Sequence, residues 1–182
     1  MLSEAEGPAG APNAVLRQWN ALDPASAGRL VLPCCGSEAW AAAVAAERPF
    51  ADQESLLNAA ERIWFSLAAS DWQQAFDSHP RIGERDAQHS ATARSLAWSA
   101  AEQSAAMRAG QAERDALREA NRRYEQRFGR IFIICARGRS AGEILAELQR
   151  RLGNSAEEEL REAAREQAKI TELRLKQWLG SA

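Results

Sequence analysis

The chain reads as an all-α, single-domain compact bundle of about eight helices, and three observations carry that reading. Apolar residues recur three and four positions apart through most of the 182 residues. Serines and aspartates stand where helix starts need caps, and glycines stand where helices would end. Only one run, Arg130 to Ala136 (RIFIICA), has the composition of a strand, and no second strand exists for it to pair with. A chain of this length buries a sizeable core without disulfides or metals.

Residues 1–12, with Gly7, Pro8, Gly10 and Pro12, are small and read as a flexible N-terminus ahead of a domain spanning 13–182. From Asn13 to Cys35 the pattern gives short helices separated by Pro24 and Pro33. Ser37 to Glu47 (SEAWAAAVAAE) is Ala-rich and helical, and Arg48-Pro49 stops it. A longer helix from Asp52 to Ala69 places Leu56, Leu57, Ala60, Ile63, Trp64 and Leu67 at helical spacing. Ser70-Asp71 opens a short helix to Phe76, which ends before His79-Pro80. Residues 83–92 are polar and loop-like.

Helices follow over about 95–106 and 110–127, the second closed by Gly129. The apolar run after it reads as extended core or the start of a helix. Ser140-Ala-Gly-Glu143 and Ser155-Ala-Glu-Glu158 are capping boxes, opening helices to Leu152 and to about Leu179. The six tryptophans fall at apolar helical positions and read mostly as core. The charges of the last helix (Glu157, Glu158, Glu159, Arg161, Arg165, Glu166) read as a solvated face.

A net charge of −2 argues against nucleic acid or an anionic membrane as the main partner. No apolar run approaches the ~18 residues needed to span a bilayer, and the N-terminus lacks the basic start and apolar core of a secretory signal. Cys34, Cys35 and Cys135 are odd in number and lack CxxC spacing, so they read as buried thiols in a reducing cytosol. Neither a glycine-rich phosphate loop nor a metal-ligand cluster nor a GxSxG elbow is present. These features together give the expectation of a cytoplasmic protein without metal.

Three constellations could carry chemistry. His79 lies in His79-Pro80-Arg81-Ile82-Gly83-Glu84, a loop where a histidine has freedom of exposure and titrates nearest neutral pH. It is a candidate for proton transfer, or else a helix-terminal histidine that bonds the last carbonyls. Arg81 and Glu84 read as surface residues, and His89 as solvated. Ser99, Glu102 and Gln103 share one helix face and could hold a polar ring through several hydrogen bonds. Ser-x-x-Glu is equally the pattern of a capping box, which needs no ligand. Arg174 falls, with Gln167, inside the apolar stripe of Leu160, Ala163, Ala164, Ile170, Leu175 and Trp178. An inward guanidinium needs an anion; the alternative is a stem lying along the core edge with its head in water. Arg137 and Arg139, just before a helix start, could also meet an anion.

HPRIGE, WSAAEQ, NRRYEQRFGRIFIICARG, LQRRLGN and ITELRL, with CCGSEAW and the RPF at 48–50, resemble in order and spacing the 2-oxo-4-hydroxy-4-carboxy-5-ureidoimidazoline (OHCU) decarboxylase family. The resemblance runs from about Ala14 to Trp178. It implies an all-helical lyase of urate degradation that needs no metal or organic cofactor, takes a small-molecule substrate to (S)-allantoin, and commonly forms homodimers. On this resemblance the acid/base is His79, with Glu102 and Arg174 also catalytic. Pro80, Ser99 and Gln103 would line the substrate pocket. The segment Ile133, Ile134, Cys135, Ala136 and Arg137 would turn its backbone to the ligand. The competing expectation is a non-catalytic helical interaction module, or a relative acting on another ureido or imidazoline ligand, in which His79, Glu102 and Arg174 would stand far apart.

Overall fold

The computed structural model describes residues 13–82, 93–102 and 110–180, with the backbone alone at Ala93, Ser95 and Glu102. Among these residues there are nine helices and no strand. They are α1 (Ala14–Asn20), α2 (Pro24–Cys35), α3 (Glu38–Ala46), α4 (Gln53–Ser66), α5 (Ala69–Asp77), α6 (Ala93–Glu102), α7 (Gln111–Phe128), α8 (Ala141–Arg151) and α9 (Ala156–Trp178). The all-α reading stands.

Most helix ends are set by the caps visible in the sequence. Ser140 and Ser155 accept from the backbone N–H of Glu143 and Glu158, and each glutamate reaches back to its serine. Gly129 closes α7 at φ 67°. Asn13 caps α1 through its Oδ1 while its Nδ2 donates to the carbonyl of Leu179 at 2.7 Å, tying the start of the domain to its end. The expected break at Pro33 does not occur: α2 runs through it to Cys35. Pro33 sits in the last turn, where little helix remains to be disrupted. Arg48-Pro49 does follow the end of α3. Arg48 there donates to the carbonyls of Ala45, Trp19 and Leu22, and Phe50 stacks on Trp19.

Two apolar clusters make up the core. The first gathers α1 to α5 and α9 around Trp19, Trp40, Trp64 and Phe76. Its buried tryptophans donate to backbone carbonyls: Trp19 to Ala27, Trp40 to Ala60 and Trp64 to Ala164. Trp72, Trp98 and Trp178 are half-buried against the same cluster. The second gathers α7 and α8 around Tyr124, Phe128, Phe132, Ile144 and Leu148.

The run after Gly129 lies between the two clusters. Residues 131–136 are extended and neither helix nor strand. Ile131 and Ile133 enter the first cluster, while Phe132, Ile134 and Ala136 enter the second. An extended chain alternates its side chains with a period of two, so a segment wedged between two clusters is apolar throughout. That is why its composition mimics a strand. Among the described residues no helix is long and apolar enough to cross a membrane.

Candidate functional site

α9 supplies one wall of the candidate site. Gln167, Ile170, Thr171 and Arg174 share its inner face, each with others three or four residues away, and all are buried. Arg174 is fully buried, so the inward placement holds and the stem-along-the-edge alternative does not. Its guanidinium donates to Ser99 Oγ at 2.9 Å and to the Pro33 carbonyl at 3.4 Å, and lies 5.9 Å from the centre of the Trp98 ring. Carbonyls at a helix C-terminus carry partial negative charge, so the end of α2 suits a cation. Gln167 Nε2 donates to the Cys35 carbonyl at the same helix end, at 3.2 Å.

Ser99 is mid-helix in α6, not at its start, so Ser-x-x-Glu is no capping box here. The hydroxyl is buried and bonded to Arg174. α6 is described as far as Glu102; the Glu102 side chain and Gln103 lie outside the described residues, as does His89.

His79 follows α5, its backbone N–H bonded to the Phe76 carbonyl at 3.0 Å. Contrary to the expected exposure, the residue is 6 % exposed. The cause is local. Ser78 Oγ bonds back to Ala75, and Gly36, at φ 90° after α2, packs so closely on Ser78 that a Cβ there would meet Ser78 Oγ at 2.1 Å. This contact seats the start of the loop in the core. Burial pushes the imidazole pKa down to about 3; the Arg174 charge adds to the effect and the Gln167 amide opposes it. His79 is therefore neutral at pH 7. Its Nε2, and Gln167 Oε1 beside it, have no hydrogen-bond partner among the described residues. Two orphaned buried polar atoms next to a buried cation mark a place where a polar ligand would be satisfied.

Pro80 continues this wall. A cleft with about 10 Å³ of open space, room for a single water, is lined by His79, Pro80, Ile82, Ile133, Ile134 and Ala136 among others. The roomier opening, about 580 Å³ between α4 and α9, is an outer groove that none of the candidate residues lines. The chemistry favours the small cleft, which His79 lines while Arg174 and Gln167 act on its imidazole from α9. Of the remaining candidates, Cys135 is half-buried and packs toward the first cluster, and Arg137 is exposed; neither lines the cleft. Cys34 and Cys35 are buried, with thiol pKa values pushed up to about 12 by desolvation, and are inert as nucleophiles.

Three groups of residues carry more than their sequence reading assigned. Arg81 is not a plain surface residue: it makes a two-pronged ion pair with Glu125 of α7, at 2.5 and 2.9 Å, two residues beyond His79. Glu166 and Glu159 are buried rather than solvated. Glu166 is drawn in by the backbone N–H of Cys135, which donates to its Oε2 at 2.8 Å. Glu159 is drawn in by Arg151, Tyr124 and Asn154. The helical phase pointed to these residues: Ile144, Leu148 and Arg151 share one face of α8, and Glu159, Ala163, Glu166 and Ile170 one face of α9.

The sequence model of the OHCU decarboxylase family matches residues 20–176. The chain is 40% identical over 144 residues to the uric acid degradation bifunctional protein TTL of Arabidopsis thaliana, covering 78% of this chain and 44% of that protein, less than half its length. It is 37% identical over 139 residues to the 2-oxo-4-hydroxy-4-carboxy-5-ureidoimidazoline decarboxylase of Amia calva, covering 74% of this chain and 77% of the relative. Its fold matches a crystal structure of OHCU decarboxylase in the presence of (S)-allantoin with a TM-score of 0.71 and 35% identity, over 82% of this chain and 96% of the other. With the family matched over most of its length, the chain belongs to the OHCU decarboxylase family.

Proposed function

We propose that the chain decarboxylates OHCU to (S)-allantoin in urate degradation, at the cleft around His79 and without an organic cofactor. The observation that carries this reading is the fully buried Arg174, bonded to Ser99 and close enough to depress the basicity of His79. A buried guanidinium beside orphaned polar atoms suits a small anionic substrate rich in amide groups.

The substrate carries a hydroxyl and a carboxylate on one ring carbon, with a ring imine beside it. Breaking the bond to the carboxylate releases CO2 and leaves its electron pair on the ring, where the imine accepts it and an enol-like intermediate forms. That intermediate loses its hydroxyl proton and takes a proton on the neighbouring carbon, which becomes the stereocentre. The overall conversion takes up one proton for each CO2 released.

Arg174 anchors the carboxylate and holds the breaking bond out of the plane of the π system. Gln167, Gln103 and backbone N–H groups of the Ile133 to Arg137 segment other than that of Cys135, which Glu166 holds, stabilise charge as it spreads onto the ring. His79 starts neutral and accepts the hydroxyl proton. An anion seated on Arg174 offsets part of the field that depresses the imidazole pKa, so substrate binding itself makes His79 a better base. Glu102 orients His79 or accepts a hydrogen bond from the substrate hydroxyl. Proton delivery from one wall of a closed cleft gives one enantiomer.

The test generates OHCU from urate with the upstream enzymes and follows its decay and the circular dichroism of the product. Purified protein is expected to accelerate the decay and to yield dextrorotatory allantoin. Unchanged decay with folded protein, or racemic product, would overturn the reading.

We further propose that the chain works in the cytoplasm as a homodimer. Three cysteines without a disulfide fit a reducing compartment. The groove between α4 and α9, with Phe65 44% exposed beside it, offers apolar surface for a second copy. Light scattering should give twice the 20.0 kDa chain mass; a monomer at micromolar concentration contradicts this part.

A further inference from the structure

Arg151 and Glu159 form an ion pair with both side chains at 0% exposure. Arg151 Nε donates to Glu159 Oε1 at 2.9 Å and its second nitrogen to the same oxygen at 2.5 Å. Tyr124 Oη donates to the same carboxylate, and Asn154 Nδ2 does so at 2.8 Å. The third branch of the guanidinium goes elsewhere: it donates to the backbone carbonyl of Ile133 at 2.8 Å. The Phe132 ring lies 4.6 Å beneath the guanidinium.

Stability alone explains such an arrangement poorly. Desolvating two charges offsets most of their attraction, and apolar substitutes of similar volume often serve a fold as well or better. What this pair supplies and apolar residues could not is a fixed direction for one peptide group. Among the described residues the extended segment 131–136 has no strand partner to orient its peptides. A trans peptide is planar, with its C=O and N–H on opposite sides. Holding the Ile133 carbonyl toward Arg151 therefore turns the Ile134 N–H to the other side. That N–H has no hydrogen-bond partner among the described residues, and both Ile133 and Ile134 line the cleft with His79 and Pro80. The next peptide is held separately, by the Cys135 N–H on Glu166 at 2.8 Å.

We propose that Arg151 and Glu159 are positioning residues, which fix the Ile133–Ile134 peptide so that the Ile134 N–H stands ready as a donor to the substrate. The proposal rests on the decarboxylase reading of the cleft. Tyr124 and Asn154 complete the unit by holding the carboxylate that holds Arg151. The substrate never meets these side chains; their effect reaches it through one backbone N–H.

Arg151→Lys keeps the charge opposite Glu159 but lacks a third branch for the carbonyl. It is expected to lower kcat about 10- to 100-fold, a donor misaimed rather than removed, with KM changed less than about threefold and the melting temperature little changed. The triple variant Arg151→Met, Glu159→Leu, Tyr124→Phe removes the network without stranding a charge, and should fold and show the same kcat loss. A nitrogen–proton correlation spectrum gives a readout independent of turnover: the Ile134 amide peak is expected to move in Arg151→Lys, and addition of allantoin should shift it in the wild-type protein far more than in the variant. Folded Arg151→Lys with wild-type kcat and KM and an unmoved Ile134 peak would overturn the proposal, even if the triple variant failed to fold. A wild-type protein without decarboxylase activity would instead refute the functional reading, while the allantoin shifts still decide whether the peptide is set by Arg151.

Discussion

His79 has a depressed pKa because it is buried beside a cation, and that links its protonation to folding. Its folded pKa of about 3 lies below the ordinary value of 6.5. Between those two values the unfolded chain holds a proton on this residue that the folded chain does not, so acid favours unfolding. The contribution of His79 is fully present above about pH 6.5 and is lost as the pH falls toward 3, at a slope of at most about 1.4 kcal/mol per pH unit. Urea midpoints measured from about pH 7 to pH 4 should fall for the wild-type chain and fall less steeply for His79→Gln. Equal slopes would show that the imidazole is not buried as described. In an Arg174→Met variant the His79 resonances should titrate closer to 6.5, because one of the two causes of the depression is gone. At this scale the sequence was legible in kind but not in degree. A loop histidine next to proline signals chemistry, yet nothing in HPRIGE tells that Gly36, more than forty residues earlier, makes room for Ser78 and so seats the loop in the core.

Among the elements, the α2–α3 corner carries a sharp test of that seating. Gly36 adopts φ 90°, where any other residue is strained, and its missing Cβ leaves space that Ser78 fills. Gly36→Ala should cost more than about 1–2 kcal/mol from the backbone conformation alone, read as a lowered melting temperature. Adding Ser78→Gly should recover the part due to the clash and leave the conformational part. An unchanged melting temperature for Gly36→Ala would contradict the corner as described. Helix phase and caps placed α7, α8 and α9 within a residue or two, because those signals are local. Glu159 and Glu166 read as part of a solvated face, because a dense run of charge hides the helical phase that turns them, like Arg151, inward. Tyr124 lies 35 residues from Glu159, Cys135 31 from Glu166 and Ile133 18 from Arg151, separations that no local pattern exposes. RIFIICA reads as extended core or the start of a helix, and it is extended core: its composition resembles a strand because alternate side chains meet two helical clusters rather than a sheet.

For the molecule as a whole, the cleft forms where the two apolar clusters meet. The first brings α9 with Arg174 and Gln167, and α5 with His79 at its end; the second brings the loop residue Ile82 and one face of the extended segment. Arg81 on Glu125 ties the His79 loop to α7, while Arg151 on Ile133 ties the extended segment to α8. The polar groups of the site are thus fixed from both sides before any substrate arrives, as transition-state stabilisation by preorganised groups requires. In the proposed reaction His79 moves the proton at this junction. The most direct test of that role is the turnover number for OHCU decarboxylation, measured side by side for the wild-type chain and His79→Gln, with helicity checked for both. A loss of about 10²- to 10⁴-fold in kcat with the fold intact is expected; a folded His79→Gln protein turning over at the wild-type rate would contradict the account.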